Sequence, residues 1–176
     1  MNDYIKKIKL IISDLDGVWT DGTFYQGDDG IEFKKFSVLD GVGTAMAKAA
    51  NLKIAIISGR YSKATEARMK ELQIKDLYNG NLNKMPVYEE LKKKYSLEDS
   101  EIAYIGDDLI DISIMEKVAL PIAVSNAVAD VKAIARYITK VKGGNGAFRE
   151  AVEWIIHHKK ETDIVMHRLK EKIKNS

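Results

Sequence analysis

Lys9-Leu10-Ile11-Ile12-Ser13 runs straight into Asp14-Leu15-Asp16-Gly17. A short apolar run, bounded by charge before it and by acids and glycine after it, reads as a buried strand. Three later runs have the same form, at residues 53–58, 102–106 and 120–124. Between them the pattern changes to that of helices. Residues 41–50 are rich in alanine, a strong helix former. Residues 62–72 place Ala64, Ala67, Met69 and Leu72 near helical spacing, and residues 87–95 follow Pro86, a good first-turn residue. Residues 109–118 and 128–135 complete the set. Strands alternating with helices predict a three-layer, Rossmann-like α/β fold: a parallel sheet with helices on both faces. Each strand ends in polar or glycine-rich chain, which is where such sheets bind ligands.

One segment breaks the alternation. Residues 22–38 read as strand, turn, strand. Gly27-Asp28-Asp29-Gly30 is a turn signal, and Ile31 and Phe33 alternate with Glu32 and Lys34. A β-hairpin inserted after the first strand is the expectation. At 176 residues the chain suits one domain over residues 1–176, and it shows no repeat or linker. Its 45% hydrophobic and 31% charged residues fit a globular protein, and a net charge of +2 predicts no nucleic-acid partner. The absence of cysteine excludes disulfides and thiolate metal sites and fits a reducing compartment. Residues 1–9 are charged and carry no apolar stretch of signal-peptide length. No apolar run approaches the roughly 20 residues that span a bilayer. A cytoplasmic protein with no membrane partner is expected. From residue 157 onward the chain is charged, with a weak amphipathic stripe of Ile164, Leu169 and Ile173. A solvated terminal helix or frayed tail is expected over residues 157–176, with docking on a neighbouring subunit as the alternative.

Asp14 and Asp16 stand just past the first strand. In extended chain both would point to one side, and their repulsion would call for a cation or a shared proton. By itself the pair is equally well explained as an Asp turn into Gly17. Further sites follow later in the chain. Ser58-Gly59-Arg60 offers a hydroxyl and accessible backbone N–H groups at a helix start, suited to phosphate, or else a plain Ser58 cap. Lys84 stands at the head of the third helix, after Asn79-Gly80. Gly106-Asp107-Asp108-Leu109-Ile110-Asp111 follows the third core strand. Asp107 and Asp111 are spaced to share a helix face, while Asp108 reads as a cap.

The order acid pair, serine, lysine, acid pair resembles the haloacid dehalogenase superfamily of phosphotransferases, from Lys9 to about residue 124. The resemblance implies roles. Asp14 matches the nucleophile that forms an aspartyl-phosphate. Asp16 matches the acid that protonates the leaving alcohol and later activates water. Ser58 matches the hydroxyl that binds a phosphoryl oxygen, and Lys84 the cation that holds phosphate and nucleophile together. Mg²⁺ is the implied cofactor, with Asp14, the main-chain carbonyl of Asp16 and Asp107 as ligands and Asp111 as an orienting acid. The gaps from Asp16 to Ser58 and from Lys84 to Asp107 are too short for a cap domain. The chain therefore resembles the small capless branch, which acts on phosphorylated sugar acids.

Three stretches support that branch: residues 16–22, Phe33-Lys34-Lys35-Phe36 before Asp40-Gly41, and Lys142-Gly143-Gly144-Asn145-Gly146-Ala147-Phe148-Arg149-Glu150. The last resembles its glycine-rich C-terminal loop and following helix. The branch implies a homotetramer built from hairpins, with neighbours covering each site. Arg60 resembles members acting on 3-deoxy-D-manno-octulosonate 8-phosphate, where a guanidinium could pair with the substrate carboxylate. That ester is the favoured substrate. Trp19 and the Phe33–Phe36 spelling also occur in relatives acting on 2-keto-3-deoxynononate 9-phosphate, the alternative. Asn83 departs from the Asp often found before the lysine. Gly59, Arg60, Arg68, Lys84, Gly143, Gly144 and Arg149 are the expected substrate-binding residues, with Lys34 and Lys35 as further anion-binding candidates. The alternative of another class is a non-catalytic interaction module that keeps the fold.

Overall fold

In the computed structural model, which describes residues 3–174, the apolar run before Asp14 forms β1 (Leu10–Ser13), buried along its whole length. Residues 1, 2, 175 and 176, at the ends of the charged N-terminal segment and of the expected tail, lie outside the described residues. The inserted hairpin follows as β2 (Tyr25–Gln26) and β3 (Glu32–Phe33), paired antiparallel with Tyr25 opposite Phe33. Its turn closes through Gly27 N–H to the Ile31 carbonyl at 2.9 Å, and Gly30 takes a positive φ of 79° that glycine adopts without strain. The remaining strands are β4 (Lys53–Ser58), β5 (Asp76–Asn79), β6 (Ile102–Gly106), β7 (Leu120–Ala123) and β8 (Tyr137–Ile138). They join β1 in a six-stranded sheet of order β5-β4-β1-β6-β7-β8, parallel throughout. Strands covered on both faces have to be apolar at consecutive positions. That is why the central strands were legible as unbroken runs.

The helices are α1 (Asp3–Lys6), α2 (Val38–Ala49), α3 (Lys63–Glu71), α4 (Met85–Tyr95), α5 (Ile112–Met115), α6 (Ala129–Ile134), α7 (Ala147–Lys159) and α8 (Thr162–Lys174). Contacts link α1, α2, α7 and α8 into one group and α4, α5 and α6 into another, the two outer layers. Between β1 and α2 stands only the hairpin, so no cap domain is present there.

The structure differs from the sequence reading in four places. Strands β5 and β8 are additional. Both lie at the sheet's edges, where partial burial removes the continuous apolar signature. Helix α1 is additional too, a single short turn before β1. The expected helix at residues 109–118 is a 3₁₀ turn over Leu109–Asp111 followed by the four residues of α5, because Asp108 and Asp111 form a reciprocal capping box that tightens the start. The tail does not fray. Helix α8 folds back on α2 and α7, burying Val165, packing Leu169 on the core and tying the Arg168 guanidinium to the Ala49 carbonyl at 2.6 Å.

Asp40 fixes the α2–α7 contact. The N-cap of α7 is Gly146, which has no side chain to cap with. Asp40 reaches over from α2, and its Oδ1 accepts the Arg149 N–H at 3.1 Å. The helices can approach this closely because Gly43 faces Arg149, where a Cβ would sit 2.7 Å from the Arg149 Cα. Burial raises the Asp40 carboxyl to about 6, although N–H groups of Arg149, Gly146 and Phe148 pull the other way. Between the ordinary value of 3.8 and about 6, the folded chain binds this proton more tightly than the unfolded chain. Its contribution to stability is therefore full below that window and lost as pH rises through it. Asp40→Asn is accordingly expected to gain about 1–3 kcal/mol relative to wild type between pH 4 and pH 7. Urea unfolding at both pH values measures this; a difference that stays constant with pH would contradict it.

Candidate active site

The order of the sheet reverses at β1, with β4 on one edge and β6 on the other. Loops leaving the carboxyl ends of these strands part there and open a crevice. A cavity of about 350 Å³ fills it, lined by Asp14, Asp16, Ser58, Gly59, Arg60 and Asp107, with Phe24, Leu82 and Ile110 as apolar walls. A larger groove of about 690 Å³ lies between α2, α3, α7 and α8, but it holds none of these acids.

Asp14 is fixed by its backbone, whose N–H donates to the Ile105 carbonyl at 2.9 Å and extends the β1–β6 ladder. Beyond it the chain is not extended, contrary to the expected alternation. The Leu15 carbonyl accepts N–H groups of Val18 and Trp19 at 3.2 and 2.8 Å, so Asp16 reaches the cavity from a tight turn. Gly17 takes a φ of +89°, and a Cβ there would lie 1.9 Å from Asp107 Oδ2. The glycine thus gives the Asp107 carboxyl its place against the turn.

Lys84 sits at the N-cap of α4 with its side chain fully buried. Its ammonium lies 2.5 Å from Asp14 Oδ1 and 2.7 Å from Asp111 Oδ1. Burial opposes its charge, but Asp14 and Asp111 outweigh burial and raise its pKa. Asp111 has little capacity left. Its Oδ1 also accepts the Tyr104 hydroxyl at 2.6 Å, and its Oδ2 accepts the N–H groups of Asp107 and Asp108 at 2.9 and 3.3 Å. Asp111 and Asp107 therefore meet through a turn rather than along a helix face, and Asp108 is the cap of that turn, as expected.

Negative charge is in excess here. Carboxylate oxygens of Asp14, Asp107 and Asp111 lie within 4.8 Å of one another. Burial pushes the Asp107 carboxyl up to about 9, reinforced by Asp14 and Asp111. Burial also raises Asp14 to about 6, against the pull of Lys84. Asp107 Oδ1 is buried without a hydrogen-bond partner. An all-oxygen donor set with an unpaired buried oxygen suits a hard divalent cation such as Mg²⁺. Asp14 and Asp107 have the free capacity for it; Asp111 is committed to Lys84, Tyr104 and the backbone.

Ser58 is buried and its hydroxyl donates to the Arg60 carbonyl at 2.9 Å. It is not a helix cap: α3 begins at Lys63 and is capped by Ser62. Lys34 places its ammonium 2.7 Å from both oxygens of Asp16, while Lys35 is exposed. Arg68 and Arg149 are not brought to the cavity. They line the separate groove, paired with Glu71 and Glu153. Gly143 and Gly144 lie behind the acid turn instead of lining the cavity. A Cβ on Gly143 would fall 1.7 Å from the Gly17 carbonyl oxygen, and one on Gly144 would fall 2.6 Å from the Asp21 nitrogen. Gly144 N–H donates to the Val18 carbonyl at 3.0 Å.

Residues 73–150 match the model of a haloacid dehalogenase-like hydrolase. The 3-deoxy-D-manno-octulosonate 8-phosphate phosphatase KdsC of Salmonella typhi is 42% identical over 151 residues, 86% of this chain and 80% of that protein. The chain belongs to the haloacid dehalogenase-like hydrolases. It is a phosphatase of that family. Solved structures agree with its fold. A subfamily III A hydrolase of the superfamily from Legionella pneumophila superposes with a TM-score of 0.93 at 38% identity, over 96% of this chain and 93% of that one. The octulosonate 8-phosphate phosphatase of Moraxella catarrhalis, solved with magnesium ion, phosphate ion and a KDO molecule, gives a TM-score of 0.90 at 36% identity, over 95% and 96% of the two chains. Among the described residues of this hydrolase, no helix is long and apolar enough to cross a membrane.

Three residues of the site escaped sequence reasoning. Tyr104 is one more large residue in an apolar strand until its hydroxyl is placed on Asp111. Glu32 reads as the polar phase of a hairpin. Asn126 bridges two loops, its Nδ2 donating to the Gly17 carbonyl at 3.1 Å and its Oδ1 accepting the Gly143 N–H at 2.7 Å. A polar residue just past β7 was the available signal for Asn126. Because the glycine loop braces the acid turn backbone to backbone, the hydrolase has no flexible atom to yield at Gly143. Gly143→Ala is expected to cost about 3 kcal/mol or more, and to reduce turnover through displacement of the turn. A thermal melt and a phosphate-release assay measure both; an unshifted melt with full turnover would contradict the bracing.

Proposed function

We propose that this hydrolase removes phosphate from 3-deoxy-D-manno-octulosonate 8-phosphate through an aspartyl-phosphate on Asp14. The observation that carries the proposal is the convergence of Asp14 and Asp107 on one crevice, with Lys84 paired to Asp14 behind it, in a chain 42% identical to a phosphatase named for that ester. In the first step a carboxylate oxygen of Asp14 attacks phosphorus and the bond to the sugar oxygen breaks. Asp16 gives that oxygen a proton, for which one of its carboxylate oxygens has to release Lys34. In the second step Asp16 takes a proton from water, the water oxygen attacks phosphorus, and Asp14 is regenerated with inorganic phosphate. Lys84 and the Ser58 hydroxyl meet charge on the phosphoryl oxygens. Bound Mg²⁺, held by Asp14, Asp107 and the Asp16 carbonyl, would supply charge neutralisation for carboxylates and phosphate together. Asp111 and Tyr104 hold Lys84 in line.

Arg60 on the cavity wall supports the sugar-acid substrate, since a guanidinium can take its carboxylate. We read 2-keto-3-deoxynononate 9-phosphate as the second choice. The homotetramer is likewise a proposal. Exposed Tyr25, Ile31 and Phe33 on a hairpin of two-residue strands support it, because such a ribbon is marginal without a partner.

Asp14→Asn is expected to lower turnover by at least about 10³-fold, and to abolish the phosphorylated enzyme seen by mass spectrometry after acid quench of wild type. A labelled enzyme in the variant would overturn the nucleophile assignment. Metal binding should also depend on pH. Asp107 has to give up a proton held up to about 9 by burial and its neighbours. Affinity for Mg²⁺ is therefore expected to rise roughly tenfold from pH 7 to pH 8. Calorimetric titration measures this, and a pH-independent affinity, or unchanged binding in Asp107→Asn, would contradict it.

A further inference from the structure

Arg60 is the residue to which the proposed function gives the substrate carboxylate, yet its own loop does little to hold it. It follows the end of β4 and precedes α3, and its side chain is 46% exposed. A free arginine in that setting would sample many rotamers, and fixing it on binding would cost affinity. Here it is fixed beforehand, by the hairpin. The Phe24 ring lies 4.0 Å from the guanidinium, in cation–π geometry. The Glu32 carboxylate pairs with Arg60 Nη1 through Oε2.

Glu32 is itself held. Its Oε1 accepts the Ser62 hydroxyl at 2.7 Å, and Lys34 stands 3.8 Å away. Ser62 is tied in turn to the end of β5, where Asn79 accepts its N–H at 3.1 Å and donates to its carbonyl at 2.9 Å. A chain of bonds therefore runs from the sheet through Asn79, Ser62 and Glu32 to the guanidinium. Arginine has five N–H donors in a planar fork. Glu32 engages one nitrogen, which leaves donors for a second carboxylate.

We infer that Glu32 and Phe24 are specificity-positioning residues: they hold the Arg60 guanidinium ready at the cavity for phosphate esters that carry a carboxylate. The inference rests on the carboxylate reading of Arg60 and adds to it that the hairpin sets selectivity within its own chain. Neither residue touches the reacting atoms; each acts through Arg60.

The test compares kcat/KM for 3-deoxy-D-manno-octulosonate 8-phosphate with that for ribose 5-phosphate, which has no carboxylate. Wild type, Arg60→Ala, Glu32→Ala, Glu32→Gln, Phe24→Leu and the Glu32→Ala/Arg60→Ala double variant are assayed with Mg²⁺. Glu32→Ala is expected to lower the ratio of the two constants about tenfold, mainly through KM of the carboxylated ester. Glu32→Gln, which keeps an oxygen acceptor for Arg60, recovers most of the loss. The double variant is no more impaired in this ratio than Arg60→Ala alone, because Glu32 acts through Arg60. If Glu32→Ala fails to fold, Phe24→Leu carries the same expectation of a lowered ratio. An unchanged ratio in Glu32→Ala or Phe24→Leu, or additive losses in the double variant, overturns the positioning role while Arg60 keeps its own. An unchanged ratio in Arg60→Ala overturns the carboxylate reading, and the inference with it.

Discussion

One buried cation between two carboxylates organises this molecule. Lys84 sits between Asp14 and Asp111 with its side chain out of contact with water. Taking three charges out of water costs several kcal/mol per ion, and only tight geometry and further hydrogen bonds offset it. The structure supplies both. Asp14 is held by the β1–β6 ladder, and Asp111 is saturated by Tyr104 and by backbone N–H groups. The cluster therefore joins the ends of β1 and β6 to the start of α4. Any change that removes one member leaves the others buried and unpaired, which costs far more than the cluster contributes when whole.

With one ammonium between the carboxylates of Asp14 and Asp111, the cluster carries more negative than positive charge even before Asp107 is counted. Burial and like charges raise Asp107, and its Oδ1 has no partner. Perturbed carboxyls at the carboxyl ends of parallel strands mark function more than stability. The same feature accounts for the glycines around it. Gly17 makes room for the Asp107 carboxyl, and Gly143 and Gly144 let a distant loop brace the turn that carries Asp16. Those glycines act on the site through backbone contact, one layer behind the cavity.

The hairpin links this centre to its surroundings. Through Lys34 it touches Asp16, and through Glu32 and Phe24 it touches Arg60. Its polar side thus faces chemistry while Tyr25 and Phe33 stay exposed. A ribbon with two-residue strands has little stability of its own, so these polar contacts are also what seats it on the domain.

Much of this was legible in the chain itself. The four central strands announced themselves because double burial demands consecutive apolar residues, and Asp14, Ser58, Lys84 and Asp107 were singled out by their order along the chain and the family it resembles, since each alone reads equally well as a turn, a cap or a solvated lysine. Edge strands β5 and β8 were not, since partial burial leaves no such run. Arg68 and Arg149 looked like anion binders, but charge alone carries no direction, and the packing of α2, α7 and α8 turned them to another groove. Tyr104 and Glu32 had no local signal and Asn126 only its place just past a strand, because each gains its role from a partner that the local pattern does not name. The sequence by itself determined the four central strands and the order of the acidic sites, because these depend on local periodicity and spacing, and it pointed to the family through the resemblance that order carries. Only the tertiary structure decided which side chains meet, because a hydrogen bond or an ion pair depends on a few ångströms between segments that the spacing of residues along the chain does not specify.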